Sequence, residues 1–351
     1  MRYECFIGSF SKEADAAIVR CMFDSQTGSL TEINSIPATR PSYLCLNEHN
    51  NVLYCVNEAE TVNDVPGGSV ESYDITSGLF RRISSQSTHS AGPCYLCICD
   101  DILFACNYAG GALTQFTLNE DRILPANAAL QYFGHGTDAK RQSQPHIHFA
   151  ALSPDKTHLA VCDLGTDSIY LYPYTAGNGI SLRCERISAP AGSGPRHLAF
   201  GKDGRYLYVI AEMASSILVY DLQRIPAVLI QEISARVTRE GHSQCGGIRM
   251  TPDGKNIIAA NRGDDTLTSF RVNEDGKLCL ESAVPTGLWP RDHVFSPDGN
   301  RLLCANQNEN TIGVYRMEGT ASGARVPVLT NTVEIHHSSK PSCIVFGNII
   351  R

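Results

Sequence analysis

Three arginines, three carboxylates and one histidine stand at fixed distances from a repeated turn in this chain of 351 residues. Counting seven residues back from Asp155, Asp203 and Asp298 reaches His148, Arg196 and Arg291, and the same count from Asp253 reaches Gly246. Ser42, Cys94 and Ser342 occupy the equivalent phase elsewhere. Counting eight or nine residues forward reaches the pairs Asp163-Leu164, Ala211-Glu212, Asn261-Arg262 and Asn306-Gln307, with Asn57-Glu58 and Asn107-Tyr108 as earlier equivalents. Guanidinium forks match the paired oxygens of a carboxylate or phosphate. A histidine exchanges a proton near neutral pH, and Glu58, Glu212 and Asp163 add carboxylates. Brought together, these residues would form an anion site with acid and base groups.

The elements that must bring them together are short strands. Residues 195–212 are the clearest copy of a unit that restarts at Pro41, Pro93, Pro145, Pro195, Cys245, Pro290 and Pro341, with spacings of 52, 52, 50, 50, 45 and 51 residues. Each full unit carries four apolar runs separated by turn residues, such as 43–46, 52–56, 70–75 and 79–84 in the first. Four strands repeated at a period near fifty describe the blades of a propeller. Asp253 and Asp298 sit in Pro-Asp-Gly, a turn sequence with a mechanism: Pro presets φ, Asp bonds its own backbone, and Gly accepts φ > 0. The second blade has a weak fourth strand before a polar loop over residues 134–144.

Three strands over 3–10, 16–23 and 30–36 precede the first unit, and one strand, 342–346, follows the sixth. An open ring would leave unpaired strand edges, so the last strand is expected to join the first three as one shared blade. The chain then reads as a single all-β domain over residues 1–351, a seven-bladed propeller closed by its C-terminal strand. First and second strands of a blade are antiparallel, so the start of one lies beside the end of the next. Both residue sets should therefore meet at one mouth of the central channel.

Composition narrows the partners. A formal charge of −7 disfavours nucleic acid and anionic membrane, which require a basic field. No apolar run nears the roughly 20 residues that span a bilayer, and the N-terminus lacks an export signal. The 14 cysteines fall mostly within apolar strands without metal-site spacing, which points to reduced thiols in the cytoplasm and to no metal or other cofactor. Gly110-Gly111 and Gly246-Gly247 lack the strand-to-helix setting of a nucleotide loop, and no GxSxG elbow occurs. His135, Arg141 and His146 lie in or beside the 134–144 loop, either a lid or a solvated connection, while His336-His337 reads as surface. A closed ring needs no partner for its edges, so a monomer is expected.

Pro145-His146-Ile147-His148, Asp163-Leu164-Gly165-Thr166-Asp167, Gly194-Pro195-Arg196-His197, Glu212, Asn261-Arg262-Gly263 and Pro290-Arg291 resemble the seven-bladed lactonase family in content and order. That family includes propeller-type 6-phosphogluconolactonases and carboxy-cis,cis-muconate lactonizing enzymes. The resemblance implies hydrolysis of a small anionic sugar lactone, 6-phospho-D-glucono-1,5-lactone, to 6-phosphogluconate. It assigns catalysis to His148, Arg196, Glu212 and Arg291, with Glu212, helped or replaced by His148, as general base. Arg262 would fix the phosphate, with Glu58, Asp163, Arg141 and His146 as further substrate-binding residues. The alternatives are a muconate-type cycloisomerase and a binding propeller without catalysis. The family's small-small-Glu-Ile run is replaced by Cys245-Gly246-Gly247-Ile248, which removes one expected pocket carboxylate.

Overall fold

The hairpins between first and second strands are set by a short polar knot. Thr251 Oγ1 donates to Asp253 Oδ1 at 2.6 Å, and Gly254, at φ +77°, turns the chain so that its N–H reaches Thr251 O at 2.8 Å. Ser296, Asp298 and Gly299 repeat the arrangement, again with a 2.6 Å hydroxyl-to-carboxylate bond. In the computed structural model these hairpins and the strands beyond them form a ring of seven antiparallel sheets. All residues are described except 48–50, 63–64, 239–240, 321–322 and 351, and the described residues contain no helix.

The fourth blade shows the common plan, Pro195–Phe200, Tyr206–Ala211, Ser216–Asp221 and Val228–Ser234 from the channel outward. The closing blade joins Ser29–Pro37, Ala17–Asp24 and Arg2–Ser9 to Pro341–Ile350, with Phe6 opposite Val345. Pro341–Ile350 also touches the inner strands Pro290–Phe295 and Leu44–Asn47, which completes the ring. Three details differ from the sequence reading. The fourth strand of the second blade, Arg122–Gln131, is ten residues long, and alternating burial shows why its apolar content looked weak: one face meets water. The fourth strand of the third blade is broken into Gly179–Ile180 and Glu185–Ser188, both pairing with Ser168–Thr175. A small hairpin of Thr61–Val62 and Val65–Pro66 is inserted in the first blade.

Second strands are covered by neighbouring blades on both faces, so Leu207, Tyr208, Val209, Ile210 and Ala211 are all buried without polar alternation. Ten of the 14 cysteines are buried in these layers as free thiols, and Cys279 alone is exposed. Inside the ring, the side chains of the inner strands fill the channel below its mouth. Tyr43, Tyr95, Phe149 and His197 form a continuous aromatic stack with centroid separations of 4.0, 4.2 and 4.6 Å. Arg249, paired with Asp292 at 3.0 Å, packs beside them. The channel below the mouth is thus packed with aromatic side chains.

Candidate active site

Six of the seven inner strands carry a bulge near the mouth, and Leu44–Asn47 alone pairs without one. Ladder pairs jump from Pro93 to Tyr95, from Ile147 to Phe149, from Pro195 to His197 and from Pro290 to Asp292. Cys94, His148, Arg196 and Arg291 are therefore left out of the pairing, and the fifth blade omits both Gly246 and Gly247. A bulge frees one residue from the alternation of the strand and re-aims its side chain. The second set of mouth residues stands at or just past the ends of the second strands, where Arg262 is itself paired with Gln244. Asn107 pairs with Pro93 and is followed by Tyr108; Ala211 pairs with Pro195 and is followed by Glu212. Across the ring closure Ser9 pairs with Pro341 and is followed by Phe10, a seventh member that the turn-based count did not reach because no turn aspartate marks that blade.

These two sets surround a cavity of about 350 Å³ at the mouth. Its lining includes His148, Glu212, Arg262, Arg291, Glu58 and Arg141. Arg196 lies directly behind, 2% exposed, and does not line it. Glu212 is the meeting point of three blades. Its Oε2 lies 3.0 Å from Arg196 Nε and 2.7 Å from Arg262 Nη2, and its Oε1 accepts from Arg141 Nη2 at 2.5 Å. The Arg196 contact is an ion pair outside hydrogen-bond geometry. Burial opposes ionisation of Glu212, but Arg262, Arg196 and Arg141 overcome it and hold the carboxyl well below the usual carboxylate range.

His148 has the opposite character. Burial, with Arg196 and Arg291 adding to it, keeps the imidazole well below its ordinary value and hence neutral at physiological pH. Its Nδ1 is buried without a partner among the described residues. Arg291 donates Nη1 to Gln307 Oε1 at 3.3 Å, and no carboxylate among the described residues forms an ion pair with it. Burial lowers its proton affinity, as it does that of Arg196, which is pushed down to about 9 by burial, Arg262 and Arg291. Both remain cationic at neutral pH. Glu58 pairs with Arg40 at 3.1 Å and accepts a bond from Ser42 Oγ, while burial pushes its carboxyl up.

Two expected substrate-binding residues stand outside the cavity. Asp163 occupies the position held by Asn107, Asn261 and Asn306 in other blades and is fully buried, as is Leu164 after it, which does not line the cavity either. Its Oδ1 accepts the His146 and Gly165 N–H groups at 2.8 and 3.0 Å, and its Oδ2 accepts Thr166 Oγ1 at 2.6 Å. His146 stacks on the Tyr108 ring at 4.2 Å, and its Nδ1 bonds Tyr108 O at 2.8 Å, so it supports the cavity wall. Arg141 reaches the site because Gln142, fully buried, pins the 134–144 loop. The Gln142 amide donates to Leu164 O and Asp167 Oδ1 at 2.9 and 2.8 Å and accepts the Thr137 and Asp138 N–H groups at 3.1 and 3.2 Å. Where the family carries a glutamate, Gly247 leaves room for Asp292, whose Oδ1 lies 2.6 Å from where a Cβ would stand.

Sequence reading also missed Arg40, Lys12 and Phe10, which all line the cavity. Arg40 has φ 45° immediately before Pro41, and Trp289 has φ 62° before Pro290. Left-handed backbone in a non-glycine residue ahead of proline is costly and tends to gather at sites. No sequence pattern announces it, because glycine takes the same position at Gly92 and Gly194.

A propeller whose mouth collects guanidinium groups around a neutral imidazole is built for a small anionic molecule. Residues 4–346 match the family model described as lactonase, 7-bladed beta-propeller, and the chain belongs to that family. It is 30% identical over 306 residues to a 6-phosphogluconolactonase of Bacillus subtilis, covering 84% of this chain and 85% of that protein. A 6-phosphogluconolactonase of Formosa agariphila is 29% identical over 82% of this chain and 84% of its own length. The solved periplasmic gluconolactonase of Pseudomonas aeruginosa superposes with a TM-score of 0.88 at 27% identity, each chain fully covered.

Proposed function

We propose that the protein opens a sugar lactone by hydrolysis, with 6-phospho-D-glucono-1,5-lactone as substrate and 6-phosphogluconate as product. The observation that carries the chemistry is the placement of His148, its Nδ1 without a partner among the described residues, in one cavity with Arg291, a guanidinium that forms no ion pair there. Water attacks the lactone carbonyl while His148 accepts its proton. The carbonyl oxygen becomes an oxyanion facing Arg291, whose charge is fixed in place before the reaction. Collapse of this intermediate re-forms the carbonyl and breaks the ring C–O bond. The departing alkoxide takes the proton from His148, so acid and base return to their starting states.

Glu212 serves better as the counter-ion that holds Arg141, Arg196 and Arg262 than as the base. Both of its oxygens are already paired with guanidinium groups, whereas His148 Nδ1 has no partner among the described residues. No helix among the described residues is long and apolar enough to cross a membrane. With its thiols free, the protein is proposed to work as a monomer in the cytoplasm.

The test is a pH-monitored assay of purified protein on phosphorylated and plain sugar lactones, with a muconate cyclisation assay beside it. Hydrolysis of a sugar lactone above the spontaneous blank is expected. His148→Ala should lower kcat at least a hundredfold, within the range general-base removal gives, with the fold retained. Turnover only in the cyclisation assay, or full activity of His148→Ala, would sink the reading.

A further inference from the structure

The strand that closes the ring also delivers a side chain to the cavity. Ser9 N donates to Pro41 O at 3.0 Å and Phe10 N donates to Lys340 O at 2.8 Å, fixing Phe10 between the last and first blades. The guanidinium carbons of Arg40 and Arg291 each stand 4.0 Å from the centroid of its ring. The electron-rich ring attracts both cations and holds them as a fixed pair despite their mutual repulsion.

This side of the cavity has unused capacity for an anion. Arg40 Nε, like Arg196 Nε and Arg262 Nε, is buried without a hydrogen-bond partner, and among the described residues Arg291 bonds only Gln307, at 3.3 Å, and forms no ion pair. Lys12 lines the same side, so three cations face Glu58 and Glu60. Glu58 pairs with Arg40 at 3.1 Å, which leaves Arg291 and Lys12 outside that ion pair. The opposite side differs. Arg141, Arg196 and Arg262 all converge on Glu212, and Arg262, which the family resemblance nominated for phosphate, also donates Nη2 to Cys245 O at 2.6 Å. A phosphate there would have to displace a carboxylate already held from three directions.

We infer that the Arg40–Phe10–Arg291 stack, with Lys12 beside it, is the subsite for the phosphate of a phosphorylated sugar lactone and selects it over the plain lactone. The inference rests on the hydrolase reading above and assigns the substrate's charged end within that site. Arg291 faces both regions, so the phosphate arm lies on the Arg40 side while the carbonyl lies towards His148. Phe10 is a positioning residue: it touches the two guanidinium groups and acts through them.

The experiment compares wild type, Arg40→Gln, Phe10→Leu and Phe10→Tyr. Steady-state rates are measured on 6-phosphogluconolactone and glucono-1,5-lactone, and calorimetry measures binding of 6-phosphogluconate and gluconate. For Arg40→Gln and Phe10→Leu, the preference in kcat/KM for the phosphorylated lactone should fall at least tenfold, mainly through KM. The preference for 6-phosphogluconate over gluconate in binding should fall likewise. Phe10→Tyr retains an aromatic face and should retain most of the preference. An unchanged preference, or equal losses for both members of each pair, overturns the subsite. If wild type hydrolyses neither lactone, the hydrolase reading fails on its own, and the two acids still decide the subsite. Should Phe10→Leu not fold, Arg40→Gln gives the decision.

Discussion

At the end of the hairpins away from the cavity, successive blades tie nearly the same knot. Ser153 with Asp155, Thr251 with Asp253 and Ser296 with Asp298 each make a hydroxyl-to-carboxylate bond of 2.6 Å across the turn. At the mouth end the equivalent residues are Ser42, Cys94, His148, Arg196, Gly246, Arg291 and Ser342, and few agree in chemistry. The turn end must reverse the chain within a few residues, so its chemistry is prescribed by backbone geometry. The mouth end is released from the ladder by bulges, so its side chains are free to differ without breaking a strand. The repeat therefore holds where it builds the hairpin and varies where it serves the cavity.

Substitution at Glu212 should break this contrast most severely, because here a mouth residue also carries structural weight. Glu212→Gln leaves Arg141, Arg196 and Arg262 without their shared carboxylate. Loss of one partner from a buried ion cluster costs about 3 kcal/mol or more. Lactone hydrolysis should drop at least tenfold, and chemical denaturation should show the lost stability. Normal stability together with normal turnover would reject the counter-ion role.

The same comparison can be made with pH. The folded-state pKa of Glu212 is depressed, so its contribution is present above the unfolded carboxylate value of about 4.3 and is lost as pH falls towards the folded value. His148, His197 and His293 are also depressed, the last to about 4, first of all by burial. Their contribution is likewise present above the unfolded histidine value of about 6.5 and declines as pH drops below it. Stability of the wild type should thus fall in two stages on acidification. Glu212→Gln should flatten the second stage, below about pH 4.3, and spare the first.

A smaller effect is expected at Gln142, which lies beside the mouth but outside the cavity. Its amide links the 134–144 loop to Asp167, and Asp167 in turn accepts the Gly192 and Gly194 N–H groups at 2.7 and 2.8 Å, just ahead of Arg196. One side chain thus sets two of the arms that grip Glu212. Gln142→Ala should lower kcat/KM about fivefold and stability by about 1–2 kcal/mol, the cost of leaving buried polar groups unpaired. Gln142→Glu places a carboxylate against Asp167 and should be worse. Equal behaviour of the two variants would show that the loop is held by other contacts.

The spacing of Pro-led units was enough to read the ring, its closure and the convergence of His148, Arg196, Glu212, Arg262 and Arg291. What the spacing could not supply was direction. Asp163 and Leu164 hold the phase of Ala211 and Glu212, yet both are fully buried and neither lines the cavity. Phe10 shares the phase of Glu58 and Glu212, but its blade is assembled from both chain ends and lacks a turn aspartate to count from. Arg40 depends on a backbone conformation that its side-chain type does not favour. The role of Glu212 turned on the number of cations facing it, a property of three blades together.

The mildest substitution tests the repeated end of the hairpins. Asp253 is exposed at its turn, where it accepts bonds from Thr251 Oγ1 and Lys255 N at 2.6 and 3.1 Å. Asp253→Ala removes both, leaving the exposed Lys255 N to water and the buried Thr251 Oγ1 with Asn256 O as its remaining acceptor at 3.2 Å, so the cost should be about 1 kcal/mol. The blade's second strand remains clamped between its neighbours, and the mouth lies at the other end of the hairpin. Thermal unfolding should move down by a few degrees, while kcat and KM on the lactone remain within twofold of wild type. A larger kinetic effect from this position would mean that turn geometry is transmitted along the inner strand to the bulge, and the two ends could not then be treated as separate.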